Sequence, residues 1–145
     1  MLVQQILKSK AKPGVLTISS SARVSDATKV LADNRIGSLV ISDDDGATAI
    51  GILSERDIVR ELSRVGAGCL DQPVSAYMTR KLETCTSDDS AQTILSRMTE
   101  GRFRHMPVVE DGKLTGVVTL GDLVKAQISE LAMEKQALEG MIMGH

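Results

Sequence analysis

The 145-residue sequence contains one tyrosine, one phenylalanine and no tryptophan. A chain this poor in rings has little on which to stack nucleobases, and its net charge of −2 provides no general attraction to a phosphate backbone. Nucleic acid is therefore not an expected partner. Cys69 and Cys85 stand alone, with no C-x-x-C and no zinc partner set. They read as small apolar residues of a reducing compartment rather than redox or metal centres. His105 and His145 are the only histidines, and no Ser-His-Asp order, Cys-His order, metal-ligand cluster or Walker loop is present, so catalysis is not expected. Apolar runs such as Leu39–Ile41 and Gly116–Val118 are short, whereas a membrane-spanning helix needs about 20 apolar residues. The opening Met1–Lys8 lacks the basic start, apolar stretch and cleavage site of a secretory signal. The expected location is the cytoplasm, with no membrane partner.

The length suits one domain with a continuous core of Val, Ile, Leu, Ala and Met. Its dominant feature is self-similarity. At a shift of 67 residues, Val15–Ile18 lies over Leu82–Cys85 and Val24–Gly37 over Ala91–Arg104, matching Thr17 with Thr84, Leu31 with Met98 and Arg35 with Arg102. After Ile41 and Val108 the shift becomes 65, matching Gly51 with Gly116, Ser54 with Thr119 and Asp57 with Asp122. One change of register, at a turn, is what a diverged duplication leaves.

Each copy reads as a βαββα-like unit. A short strand lies around Thr17 or Thr84. An amphipathic helix follows, carrying Val24, Ala27, Val30 and Leu31 in copy one and Ala91, Ile94, Leu95 and Met98 in copy two. Gly101 is the expected stop of the second of these helices. Two strands then follow in each copy, Ser38–Ser42 with Thr48–Leu53 and Met106–Glu110 with Leu114–Thr119, turned by Asp45-Gly46 and Asp111-Gly112. A final helix starts near Ser54 or Leu120.

One copy alone is too small to close a core, so two are expected to pack their sheets about a pseudo-two-fold axis in an α/β fold. The expected organisation is a single domain over 1–145. It comprises a first repeat (1–64), a linker (65–80), a second repeat (81–127), and a C-terminal helix and tail (128–145). The linker has a Gly66-Ala67-Gly68 break and a short helix over Asp71–Met78, capped by Asp71 with Pro73 in its first turn. Val3–Leu7 is its counterpart ahead of copy one. Beyond Asp122 the helix is expected to run to about Glu139, with Val124, Ile128, Leu131, Leu138 and Ile142 forming a seam that Lys135 interrupts. That seam suits either the domain itself or a second chain.

The chemistry-bearing element is Gly-apolar-x-Ser/Thr-x-x-Asp, seen as Gly51–Asp57 and Gly116–Asp122. It describes a strand that ends in a hydroxyl at a helix start whose first turn carries a carboxylate. Free N–H groups there suit an anion, and the carboxylate can accept two hydrogen bonds from a ribose diol. A single copy reads more simply as a capping box. Two copies at matched positions of a duplication favour a ligand site. His105 beside an apolar strand suits a structural histidine or a ligand contact, and Met78, Met98 and Met106 read as core filler.

These residues, with Ile36–Ile41 and Phe103–Val109, resemble a tandem pair of cystathionine-β-synthase-type (CBS) domains, a Bateman module, from about Val3 to Leu131. The resemblance implies two sheets facing each other across a cleft, pairing into disc-like dimers, and adenosine-containing ligands: AMP, ADP, ATP, S-adenosylmethionine or NAD. Carried over by position, one site combines Ser54, Arg56 and Asp57 with Thr84, Arg104, His105 and Pro107. The other combines Thr119 and Asp122 with Thr17, Gly37, Ser38 and Leu39. Arg104 and His105 supply phosphate donors, and their counterparts Gly37 and Ser38 do not. Val40 stands where relatives often have the proline matched by Pro107. The resemblance thus implies one phosphate-competent pocket, on the Asp57/Arg104 side, and a smaller opposite pocket that leans on backbone contacts. The expected function is a non-enzymatic regulatory module with no catalytic cofactor. It would form a homodimer and report energy or redox state to an unidentified protein in trans. The alternative is a ligand-free dimerisation or adaptor module.

Overall fold

The computed structural model describes residues 1–10 and 14–142. Helix α1 (Val3–Ser9) precedes the first repeat, which runs β1 (Thr17–Ile18), α2 (Val24–Asn34), β2 (Ser38–Ile41), β3 (Gly51–Ser54) and α3 (Glu55–Val65). Two 3-10 turns, Ala67–Asp71 and Val74–Ala76, form the linker. The second repeat runs α4 (Ala91–Gly101), β4 (His105–Glu110), β5 (Lys113–Thr119) and α5 (Leu120–Ile142).

In the first sheet β1 lies parallel to β2, and β2 is antiparallel to β3, with Ser38 opposite Ser54. In the second, β4 and β5 pair antiparallel, with His105 opposite Thr119. The duplication extends to single bonds. Ile18 pairs with Ile41, and at the matched position Cys85 bridges Val108. The Glu55 N–H donates to Gly37 O at 2.9 Å, and the Leu120 N–H to Arg104 O at 2.8 Å. Each repeat has its own core, Val24, Leu31, Leu39, Ile41 and Leu53 in the first and Ile94, Met98, Met106, Val108 and Leu123 in the second.

The segments ahead of the repeats are exchanged. Val3 and Ile6 of α1 complete the core of the second repeat, and Val74 and Met78 of the linker complete that of the first. The bridges Leu2–Ser90 and Arg23–Pro73 mark the two equivalent docking points. A Cβ on Gly51 would meet Met78 Sδ at 2.5 Å, and one on Gly116 would meet Leu7 Cδ2 at 2.8 Å. Both glycines therefore admit the exchanged segment, and Val3–Leu7 does match the linker as expected.

Several local expectations need correction. The linker is not one helix capped by Asp71: Val24 N donates to Gln72 O at 2.9 Å and Val74 N to Ala22 O at 2.8 Å. That pairing keeps Pro73 extended and breaks the linker into two 3-10 turns. The strand around Thr84 contracts to the single bridge at Cys85, where Cys85 N donates to Pro107 O at 3.1 Å and Val109 N to Cys85 O at 2.8 Å, because Pro107, at the position of Val40, has no N–H with which to extend the ladder. Helix α4 does stop at Gly101, its last residue, but the left-handed position falls on Arg102 (φ 57°), as on Arg35 (φ 53°) after α2. A Cβ on Gly101 would stand 2.4 Å from Phe103 Cε1, so the ring would have to shift to admit a side chain there.

Asp111-Gly112 forms the expected tight turn, with both φ positive. Asp45-Gly46 has the same backbone signs but sits in a longer loop. There Asp44 accepts from Thr48 Oγ1 at 2.6 Å and from Thr48 N at 2.8 Å, so β3 starts only at Gly51. These bonds from Thr48, with another from Ser42, hold the Asp44 carboxyl at a pKa of about 2.

Candidate functional site

Between the repeats lies a cavity of about 360 Å³, a volume in the range of small-ligand pockets. Of the residues assigned from sequence to the Asp57 side, Ser54, Arg56, Asp57, Arg104, His105 and Pro107 line it. Thr84 does not, although the adjacent Leu82 and Glu83 do. Gly37, assigned to the opposite side, lines this cavity too, because the ring of His105 lies against it. Sequence reasoning missed Arg60, Lys81 and Arg102, which make the wall basic: with Arg56 and Arg104 they outnumber Glu55, Asp57 and Glu83. A second, more open cavity of about 440 Å³ lies between α2 and α3, lined by Leu31, Ile36, Ile58 and Val59.

Ser54 ends β3 and caps α3. The Asp57 N–H donates to Ser54 Oγ at 3.2 Å, and the Ser54 N–H donates to Asp57 Oδ2 at 2.9 Å. Ser54 Oγ–H also donates to Asp57 Oδ2 at 2.9 Å, and Arg60 Nη2 donates to Asp57 Oδ1 at 2.7 Å. The capping box is therefore real, and it fixes the carboxylate at the mouth of the cavity, one oxygen held by the cap and the other by Arg60.

His105 opens β4 at the boundary of the two repeats. Burial lowers its pKa, and the charges of Arg104 and Lys10 act in the same direction, against Glu55 and Asp122. Near neutral pH the ring is thus an uncharged donor and acceptor.

The matched element in the second repeat is built alike. The Thr119 N–H donates to Asp122 Oδ2 at 3.0 Å and the Asp122 N–H to Thr119 Oγ1 at 3.1 Å. Here the carboxylate is held by Lys10, whose ammonium lies 3.1 Å from Asp122 Oδ2 and donates to Val117 O at 2.9 Å. Lys10 follows α1 as Lys81 follows the linker turns, so the exchanged segments bring one lysine to each side of the axis. Only the fold reveals this pairing, since nothing in the local pattern around Lys10 points to Asp122. Of the other residues assigned to that side, Leu39 is fully buried in the first core, Ser38 is half-buried and pairs with Ser54, and Thr17 is half-buried on β1.

Among the described residues, no group of three His, Cys, Asp or Glu side chains is placed to hold a metal ion. No described helix is long and apolar enough to cross a membrane. Cys85 is buried, which pushes its thiol up to a pKa of about 11 and keeps it protonated.

The family model for the CBS domain matches this chain twice, over residues 4–64 and 74–129. The mitochondrial CBS domain-containing protein CBSX3 of Arabidopsis thaliana is 32% identical over 98% of this chain and 72% of its own length. The crystal structure of the CBS-domain containing protein ATU1752 from Agrobacterium tumefaciens superposes with a TM-score of 0.83 at 36% identity, covering 88% of this chain and 99% of that one. The CBS domain pair of protein MJ0100, solved in complex with 5′-methylthioadenosine and S-adenosyl-L-methionine, superposes with a TM-score of 0.78 at 25% identity, covering 90% of this chain and 98% of that one. The exchanged segments, the paired capping boxes and the inter-repeat cavity thus have a shared origin: the chain belongs to the CBS-domain family, as a tandem pair of the kind that serves as a regulatory module.

Proposed function

We propose that this CBS pair is a non-enzymatic sensor of an adenosine-containing nucleotide, bound in the Asp57/Arg104 cavity and read out by a partner protein in trans. The observation that carries the reading is the joining, in one cavity, of a carboxylate fixed by a helix cap with a wall of guanidinium groups. Asp57 is suited to accept from a ribose diol, in exchange with Arg60, while Arg56, Arg104 and His105 face phosphates. AMP, ADP, ATP and NAD fit this charge pattern better than S-adenosylmethionine, whose sulfonium is cationic. In this reading the module works as a cytoplasmic homodimer. Ligand shifts it between states only to the extent that it binds them unequally.

A ligand-free adaptor is the second reading, and one observation favours it: both carboxylates already have internal partners, Asp57 in Arg60 and Asp122 in Lys10. Thermal unfolding with each nucleotide singly separates the two. A ligand at about 100 times its dissociation constant adds ~2.7 kcal/mol, or roughly 5–10 °C at this size. No shift with any nucleotide supports the adaptor.

A further inference from the structure

The two exchanged segments carry matched lysines that meet different partners. Val3 matches Val74 in the two cores and Leu7 matches Met78 over the two glycines, so Lys10 matches Lys81. Lys10 pairs with Asp122, but Lys81 does not pair with Asp57. Arg60, three residues along α3, takes that carboxylate at 2.7 Å. The counterpart of Arg60 on α5 is Lys125, which forms no ion pair among the described residues. A guanidinium fork grips a carboxylate at this spacing better than an ammonium does. Lys81 is thereby left exposed on the cavity wall. Arg56, Arg102 and Arg104 line the same cavity and likewise have no ion-pair partner among the described residues. Two of the three carboxylates of the wall are engaged, Asp57 by Arg60 and Glu83 by Arg97 at 2.8 Å, which leaves Glu55 against four free cations. Such a wall repels itself and is relieved by an anion of high charge.

We propose that the Asp57 cavity selects a nucleoside triphosphate or diphosphate over a monophosphate or a dinucleotide, with Lys81 and Arg102 reading the distal phosphates. The proposal rests on the nucleotide reading above and narrows its ligand. Near pH 8, AMP carries about two negative charges, ADP about three and ATP about four, whereas NAD has a net charge of about −1. Asp57, Arg56 and Arg104 serve the ribose and the first phosphate, which all four share. Lys81 enters from the linker and Arg102 from the end of α4, so both add charge from elements other than those that hold the ribose end. The opposite side has no such wall. Gly121 stands in place of Arg56 and Gly37 in place of Arg104, Lys10 is engaged by Asp122, and Arg35, the match of Arg102, lines the cavity between α2 and α3 instead.

The test titrates AMP, ADP, ATP and NAD calorimetrically into the full chain and into Lys81→Ala and Arg102→Ala, with EDTA present so that no divalent cation cancels phosphate charge. ATP is expected to bind the unsubstituted chain about tenfold or more tighter than AMP or NAD, with ADP between them. Each substitution is expected to weaken ATP by about fivefold or more and AMP by less than about twofold. Lys81→Arg, which keeps the charge, is expected to retain the preference for ATP. Added KCl should weaken ATP more steeply than AMP. Both positions are exposed, and unchanged melting without nucleotide checks that each variant folds. AMP or NAD bound as tightly as ATP, or ATP and AMP responding alike to both substitutions, overturns the polyphosphate assignment and leaves the nucleotide reading standing. No binding of any of the four overturns both.

Discussion

Gly37 and His105 meet face to face from opposite repeats, and a Cβ on Gly37 would stand 3.2 Å from His105 Nε2 and 3.6 Å from Glu55 Oε1. The two positions are next to equivalent, since Arg104 matches Gly37 and His105 matches Ser38. The scaffold is therefore symmetric, while the space at its axis is divided unequally: one repeat withdraws its side chain and the other fills the gap with an imidazole. This asymmetry places His105 within reach of charges from both sides, Glu55 and Arg104 on one and Lys10 and Asp122 on the other.

Gly37→Ala crowds that ring by a few tenths of an ångström and is expected to cost about 1 kcal/mol in denaturant unfolding. In a His105→Ala background the same change is expected to cost much less. Equal costs in both backgrounds would show that the ring is not what Gly37 makes room for.

Lowering the pH tests the buried imidazole. Its folded pKa lies below 6.5, so the unfolded chain takes up the proton first. Its contribution to stability is complete above about 6.5 and is lost as pH falls through the folded value. Melting temperature should decline over that window, and His105→Asn should remove this part of the decline. Below it, the carboxylates of Asp43, Asp44 and Glu110, all lowered by hydrogen bonds, account for a further loss near and below pH 4 that the variant leaves in place. A profile identical in His105→Asn would contradict the assignment.

Lys10 and Asp122 form a partly exposed pair, so Lys10→Ala should lower stability by no more than about 1 kcal/mol. Because Lys10 occupies the Asp122 carboxylate, its removal should increase nucleotide binding on that side. Calorimetric stoichiometry would then rise, with the affinity of the Asp57 side unchanged. Unaltered stoichiometry would show that Lys10 is not what limits that side.

The repeat, the helices and the paired Ser/Thr-x-x-Asp boxes are legible in sequence because each rests on short-range spacing. The stripe Val24–Ala27–Leu31 is buried as its period requires, and Asp111-Gly112 turns as its backbone allows. Most of the misreadings come from partners distant in the chain. Pro73 lies among helix-like signals, but its neighbours bond to Ala22 and Val24, and the strand at Thr84 is cut short by Pro107, which has no N–H to offer it. Lys10 and Lys81 escape notice for the same reason, since the exchange of segments that carries them to the two sides is a property of the closed fold. Gly101 ends α4 as its type suggests, but the left-handed position falls on Arg102, and the ring of Phe103, two residues on, lies close over the glycine.

The most direct test of the nucleotide cleft is isothermal titration of AMP, ADP, ATP and NAD, each into the unsubstituted chain and into Asp57→Ala, Arg104→Ala and Asp122→Ala. At least one nucleotide is expected to bind with one principal site per chain. Asp57→Ala and Arg104→Ala should each weaken it about tenfold or more, against little change in Asp122→Ala. Binding that survives both Asp57→Ala and Arg104→Ala unchanged, or no binding of any of the four, would contradict the account.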